Sequence, residues 1–98
     1  MHGRRVEYLR QASAELDDAF SWYLERSALA AESFLEEIDH SLLRIAERPD
    51  SFPEIEDGAR RCVLRRFPYS VIFRTARLSI QIVAVAHQKR RPGYWRLR

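Results

Sequence analysis

Residues 60–98 constrain this chain more than any other stretch. They read RRCVLRRFPYSVIFRTARLSIQIVAVAHQKRRPGYWRLR, with eleven Arg or Lys residues and no Asp or Glu. Inside this basic block the apolar residues recur at the period of a strand. Leu78, Ile80, Ile82, Ala84 and Ala86 share one face, because side chains alternate along a strand. Ser79 and Gln81 begin the opposite face, and Val83 and Val85 end it. A strand that turns apolar on both faces is an interior strand covered on both sides at that end. Residues 78–86 are therefore expected at the centre of a sheet. Residues 69–74 form the strand before it, with Tyr69, Val71 and Phe73 on one face. Thr75-Ala76-Arg77 is a link of hairpin length. Residues 61–67 supply a third strand, closed by Pro68, which cannot donate to a ladder. Three consecutive strands with short links make an antiparallel meander.

The first half has the other period. Ala12, Leu16, Ala19, Phe20 and Tyr23 form one helical stripe, and Trp22 lies off it. Ser13 is the expected N-cap, with Glu15, Asp17 and Asp18 in the opening turns where the helix dipole favours acids. Ser27 breaks the pattern. A second stripe follows through Ala31, Phe34, Leu35, Ile38, Leu42 and Ile45, with Glu32, Glu36, Glu37 and Asp39 largely off it. Pro49 stops this helix. The spacing predicts helices over 12–26 and 28–48, joined with almost no linker, hence an antiparallel hairpin. Val6 and Tyr8 mark a short strand ahead of them. Residues 49–59, punctuated by Pro49, Pro53 and Gly58, form the linker to the sheet. The expected architecture is α+β, in the order β-α-α-β-β-β. The helical hairpin packs on a small, mainly antiparallel sheet in one domain over residues 1–98.

Charge divides at the same boundary. Residues 1–59 carry six arginines against fourteen acids, a balance of −8, and residues 60–98 carry +11, leaving +3 in all. Sixteen of the seventeen basic residues are Arg, the side chain suited to planar pairing with phosphate or carboxylate. No apolar run approaches the roughly 20 residues of a membrane span, and the N-terminus has no apolar secretory core. A lone cysteine, Cys62, rules out an internal disulfide and suits a reducing cytoplasm. Cys62 is expected as a small buried hydrophobe rather than a nucleophile.

No metal-ligand spacing, phosphate loop or nucleophile motif is present, so no metal or cofactor is expected. His2 belongs to the chain terminus and His40 to a helix surface. His87 ends the central strand and opens the basic tail, where an imidazole has the right pKa range to shuttle a proton. Arg61, Arg65, His87 and Tyr94 are the residues available for chemistry on a phosphate. The plainer role for His87, a hydrogen bond that holds the tail, is the preferred one. The basic cluster has three readings. Arg60, Arg61, Arg65, Arg66, Lys89, Arg90 and Arg91 can bind nucleic-acid phosphates, with Tyr94 and Trp95 stacking on bases. They can receive an acidic protein. They can also pair with the acids of the first half. Eleven unopposed charges in one segment favour a partner site.

The patterns RR-x-x-L-x-x-F-P-Y-x-V-I-F, from Arg60, and V-A-V-A-H-Q-x-R-x-P-G-Y-W, from Val83, resemble those of the RelE/ParE superfamily of bacterial toxins. The likeness spans nearly the whole chain. Ala19, Trp22-Tyr23, Phe34 and Pro49 also sit where such sequences carry them. It implies the toxin of a type II toxin–antitoxin pair, acting in the cytoplasm and wrapped by a small, partly acidic antitoxin. ParE-like members poison DNA gyrase and are not nucleases. RelE-like members cut mRNA in the ribosomal A site without a metal. The middle strands lack the Lys base of one nuclease group. Glu54 and Glu56, the nearest candidates for the Glu base of another, lie in the linker. Helix length and the RRxxLxxFPY pattern look ParE-like, so gyrase inhibition without enzymatic activity is the expectation, and metal-independent mRNA cleavage is the alternative. A non-toxic binding module is the third class, separated from both by toxicity on expression.

Overall fold

The computed structural model describes residues 4–98; His2 lies outside them. The chain runs β1 (Arg5–Tyr8), α1 (Arg10–Arg26), α2 (Ala28–Glu47), a 3-10 turn (Pro49–Ser51), β2 (Arg60–Val63), β3 (Tyr69–Thr75) and β4 (Ser79–His87). The four strands form one sheet in the order β1-β4-β3-β2. β1 runs parallel to β4, and the other two pairings are antiparallel. The expected α+β architecture is thus observed, with β4 interior.

Ser27 separates the helices as its chemistry suggests. Its N–H donates to the Tyr23 carbonyl at the end of α1, and its Oγ accepts from Ala30 N–H at 3.1 Å to cap α2. The expected cap at Ser13 is not used. The helix starts at Arg10, after a Leu9 that offers no side-chain acceptor. Tertiary pairing replaces the cap. Leu9 N–H donates to the Ile82 carbonyl at 3.0 Å, prolonging the β1–β4 ladder, and its own carbonyl accepts Ser13 N–H to begin the helix. The second helix closes at Glu47, one residue before the expected end, with Arg48 as its C-cap.

Two strand assignments change. β2 ends at Val63 rather than at residue 67. Leu64 N–H closes a turn on the Tyr69 carbonyl, and the N–H groups of Arg65 and Arg66 are taken by the Glu37 carboxylate of α2. Once a side chain satisfies those donors, nothing holds the segment in the ladder. At the other hairpin Leu78 is 79% exposed, and the strand starts at Ser79.

The pairing of β3 with β4 also slips. Ile72 pairs with Ala84 but Phe73 pairs with Ile82, leaving Val83 as an extra residue in a β-bulge. The bulge breaks the single face expected from Ile80 to Ala86. Ile80, Ile82 and then Val85 pack beneath the helices with Phe34, Ile38 and Phe73. Val83 and Ala84 join a second, smaller core with Ala59, Ile72 and Trp95. The strand is covered on both faces at this end, as its composition implies, and the tail supplies the second cover. Cys62 is buried in the larger core, where an Arg44 guanidinium N–H donates to its Sγ at 3.3 Å.

Candidate functional site

After His87 the chain folds into consecutive turns that cross the sheet face opposite the helices. Gln88 N–H donates to the Pro68 carbonyl, Arg90 N–H to His87, Tyr94 N–H to Arg91 and Arg98 N–H to Trp95. Gly93 sits at φ +75°, a conformation that favours glycine, and a Cβ there would also displace the Arg96 guanidinium and the Glu56 carboxylate. Trp95, 4% exposed, is the anchor of the tail. Its ring belongs to the second core, so the base-stacking role expected for it is not open to it here.

The tail walls a cleft of about 340 Å³ whose floor includes Ser70, Ile72 and Ala86. Arg61, His87, Arg90, Arg91 and Tyr94 all line it. Among the described residues Arg61 and Arg91 have no carboxylate within ion-pair distance. The cleft can therefore bind an anion. Both candidate proton carriers make structural contacts, His87 through Nδ1 alone. His87 Nδ1 accepts Lys89 N–H at 3.0 Å, and the ring stands edge-on to Tyr69, 5.0 Å between centroids. The Tyr94 hydroxyl donates to Glu15 Oε2 at 2.7 Å. Burial, then that bond to a carboxylate, pushes its pKa well above the usual tyrosine value.

The other expected site residues divide. Arg65 and Arg66 stand on the bend between β2 and β3 and line a separate groove of about 620 Å³ against α2, beside Leu43, Arg44 and Val63. Arg60 is structural, donating to the Phe52 carbonyl at 2.6 Å and lying 4.0 Å from Glu54. Lys89 is exposed outside the cleft. The basic block is also less isolated than its sequence suggests. Arg60, Arg66, Arg90, Arg96 and Arg98 each lie within 4.0 Å of a carboxylate from the first half.

Two of those carboxylates organise the site, and neither was expected to. Glu15, placed in the opening helical turn by its sequence, instead reaches inward from α1. Its Oε1 accepts Val85 N–H at 3.0 Å and Arg98 Nη1 at 2.9 Å; its Oε2 accepts Tyr94 Oη and Arg98 Nη2 at 3.0 Å. Arg90 lies 3.9 Å away. Beyond β1 the outer edge of β4 has no strand partner. Glu15 takes its free N–H at Val85, and Arg98 donates to its free carbonyl at Val83. The bond to Glu15 is the chief cause of a raised Arg98 pKa. Glu37, read as lying off the apolar stripe, is 13% exposed and fastens the Arg65–Arg66 bend. Each acid is three residues after a buried Ala12 or Phe34 and four before a buried Ala19 or Ser41. That spacing was the signal available.

This chain matches the family described as "ParE toxin of type II toxin-antitoxin system, parDE" over residues 6–92. It belongs to the ParE toxin family. It is the toxin component of a type II toxin–antitoxin system. A solved structure described as the chromosomal ParDE TA system from P. aeruginosa is 23% identical to this ParE-family chain. The match covers 89% of this chain and 98% of that one, with a TM-score of 0.76. The ParE fold is thus found here at low identity. A comparison with curated proteins found no match. No helix among the described residues is long and apolar enough to cross a membrane.

Proposed function

We propose that this ParE-family toxin inhibits DNA gyrase in the cytoplasm and is neutralised by a cognate antitoxin. One observation carries the choice of a binding inhibitor over a nuclease. The cleft offers free cations, Arg61 and Arg91, while its imidazole and phenol are tied into backbone and carboxylate contacts. Such a site holds a negatively charged or polar surface through its arginines, and its phenol is already committed as a donor to Glu15. The test is supercoiling by gyrase with purified toxin. His87→Gln keeps inhibition, because an amide oxygen still accepts Lys89 N–H, and truncation before Arg90 abolishes it.

The second reading, cleavage of mRNA on the ribosome, draws on the shared position of Arg61, His87 and Tyr94 in one cleft. It requires A-site cleavage by the wild type and a loss of about 10²–10⁴-fold in His87→Gln, the usual cost of removing a general acid or base. For the antitoxin, the Arg65–Arg66 bend beside exposed Leu43 and Val63 suits a segment with apolar anchors and an acid placed over the bend, ordered on binding; Glu36 and Glu47 line the same groove and disfavour acids along its helix side. Association then slows as salt rises. An on-rate unchanged between low and high salt removes the basic groove from the docking surface.

A further inference from the structure

A third cleft, of about 410 Å³, opens between α1 and the ends of β3 and β4, and its walls are richer in aromatic rings than those of the other two. Trp22, Tyr23 and Tyr69 line it together with Asp18, Glu15, His87 and Arg90. Trp22 is 50% exposed although it is among the largest apolar side chains of the chain. It belongs to neither core cluster, yet its ring is fixed. Tyr23 meets it edge-on at 5.1 Å, and the Arg26 guanidinium stacks on it at 3.6 Å. Arg26 does not line the cleft, so the part of the indole that does remains open. Tyr23 is held in turn by Phe34 and Phe67, and Tyr69 by His87.

The charges of the cleft are unequally engaged. Glu15 is saturated by Tyr94, Arg98 and Val85, and Arg90 sits between Glu15 and the Tyr94 ring at 3.8 Å. His87 Nδ1 is occupied by Lys89 N–H. Asp18 and Arg90 are both exposed, but of the charged groups only Asp18 has no hydrogen-bond or ion-pair partner among the described residues. Its field reaches Tyr69, whose pKa is raised by burial first, then by Tyr23 and Asp18. Fixed aromatic faces beside one free carboxylate attract a cation, and a planar guanidinium gains stacking as well as charge.

We propose that this cleft receives an arginine side chain, or in second place a lysine, from the antitoxin. The cation lies against Trp22 and Tyr69 and pairs with Asp18. The antitoxin as source rests on the toxin–antitoxin reading; the cation site itself does not. Toxin and antitoxin would then be matched at two places of opposite sign, with antitoxin acids over Arg65 and Arg66 and an antitoxin base over Asp18. Such a pairing excludes a partner that carries only acids.

The experiment has two arms. In the first, N-acetyl-Ala-Arg-Ala-amide is titrated into labelled toxin and followed by NMR, with the citrulline peptide as its uncharged isostere. The arginine peptide is expected to shift the Trp22 indole and Tyr69 ring signals saturably, with a smaller response to lysine. Citrulline is expected to leave them in place. Equal responses to arginine and citrulline, or none to either, overturn the cation site. In the second arm the Kd of the toxin–antitoxin complex is measured for Trp22→Leu, Trp22→Phe and Asp18→Asn. Trp22→Leu is expected to weaken binding about three- to thirtyfold, Asp18→Asn is expected to weaken it too, and Trp22→Phe restores most of the loss. Unchanged affinity in Trp22→Leu and Asp18→Asn overturns the proposal while leaving the toxin–antitoxin reading intact. An antitoxin that fails to bind the wild type overturns that reading instead, and the peptide arm still decides the cation site.

Discussion

Glu15 and Glu37 invite comparison, because they are the same side chain, at the same depth, on successive helices, doing different work. Their side chains are 16% and 13% exposed. Glu15 answers mostly to charge. It takes both terminal nitrogens of Arg98, a phenol and one strand N–H, and so clamps the tail around the open edge of β4. Glu37 answers mostly to the backbone. It takes two consecutive N–H groups, with the Arg66 guanidinium at 3.6 Å as a supplement. One acid fixes a segment through its side chains, the other through its main chain. A clamp made of side chains falls when any partner is removed. A clamp on the main chain is indifferent to which residues occupy the bend, so the Arg65 side chain stays free to face a partner while Arg66 leans on Glu37.

The largest expected effect breaks the first clamp. Glu15→Ala leaves Arg98, itself 15% exposed, beside an unpaired Val85 N–H and a Tyr94 hydroxyl without its acceptor. Removing one member of a buried pair typically costs 3–5 kcal/mol. With some solvent access here, about 3 kcal/mol in urea unfolding is expected. Loss of protection at the tail amides in hydrogen exchange should accompany it. A cost under about 1 kcal/mol would show that the tail is held without Glu15, by Trp95 and the Arg96 and Arg74 contacts.

Glu37→Ala comes next. It strands the Arg65 and Arg66 N–H groups near the surface, where water replaces part of what is lost. The expected cost is about 1–2 kcal/mol, near the lower end for an unsatisfied buried donor. Glu37→Gln should recover more than half, because its amide oxygen still accepts from the backbone. The equivalent Glu15→Gln should recover little, because an amide cannot answer the Arg98 charge. Equal recovery in the two variants would erase the distinction between the clamps.

Periodicity carried most of the fold. The two helical stripes and the apolar run from Ile80 to Val85 identify the helices and the interior strand, since burial imposes a period on any packed element. The bulge at Val83 was not legible, because every residue from Ile82 to Val85 is apolar and either register buries them all. The first cap was misplaced for a related reason. Ser13 has the right chemistry, but the Leu9–Ile82 bond that starts α1 depends on a strand seventy residues away. In the site, Arg61, His87, Arg90, Arg91 and Tyr94 were legible and are brought together. Arg65 and Arg66 leave that cluster because β2 ends at Val63 and Glu37 takes their N–H groups, which no strand pattern announces. Trp95 looked like a surface aromatic in a basic tail, and only the second core on the far face of the sheet reveals what it packs against.

The smallest effect separates the clamps by pH. The Tyr94 pKa is raised by burial and by its bond to Glu15, and no phenol contacts Glu37. A group whose folded pKa lies above its unfolded value contributes stability below the unfolded value and loses it as pH climbs toward the folded one. For Tyr94 the loss begins near pH 10, the ordinary tyrosine value. Tyr8, pushed up to about 12 by burial and by Asp39, adds a loss over the same range that is independent of the tail. Tyr94→Phe should therefore flatten the alkaline decline without abolishing it. The change should be only a fraction of the roughly 1.4 kcal/mol per pH unit that one fully shifted group gives, because the ring is partly solvated. Glu37→Ala should leave the slope unchanged, since its partners are two backbone N–H groups and a guanidinium rather than a phenol. If Glu37→Ala and Tyr94→Phe flatten the decline equally, the alkaline loss belongs to the fold as a whole. If Tyr94→Phe alone flattens it, the phenol proton between Tyr94 and Glu15 is part of what ties the tail to α1, beside the Arg98 pair.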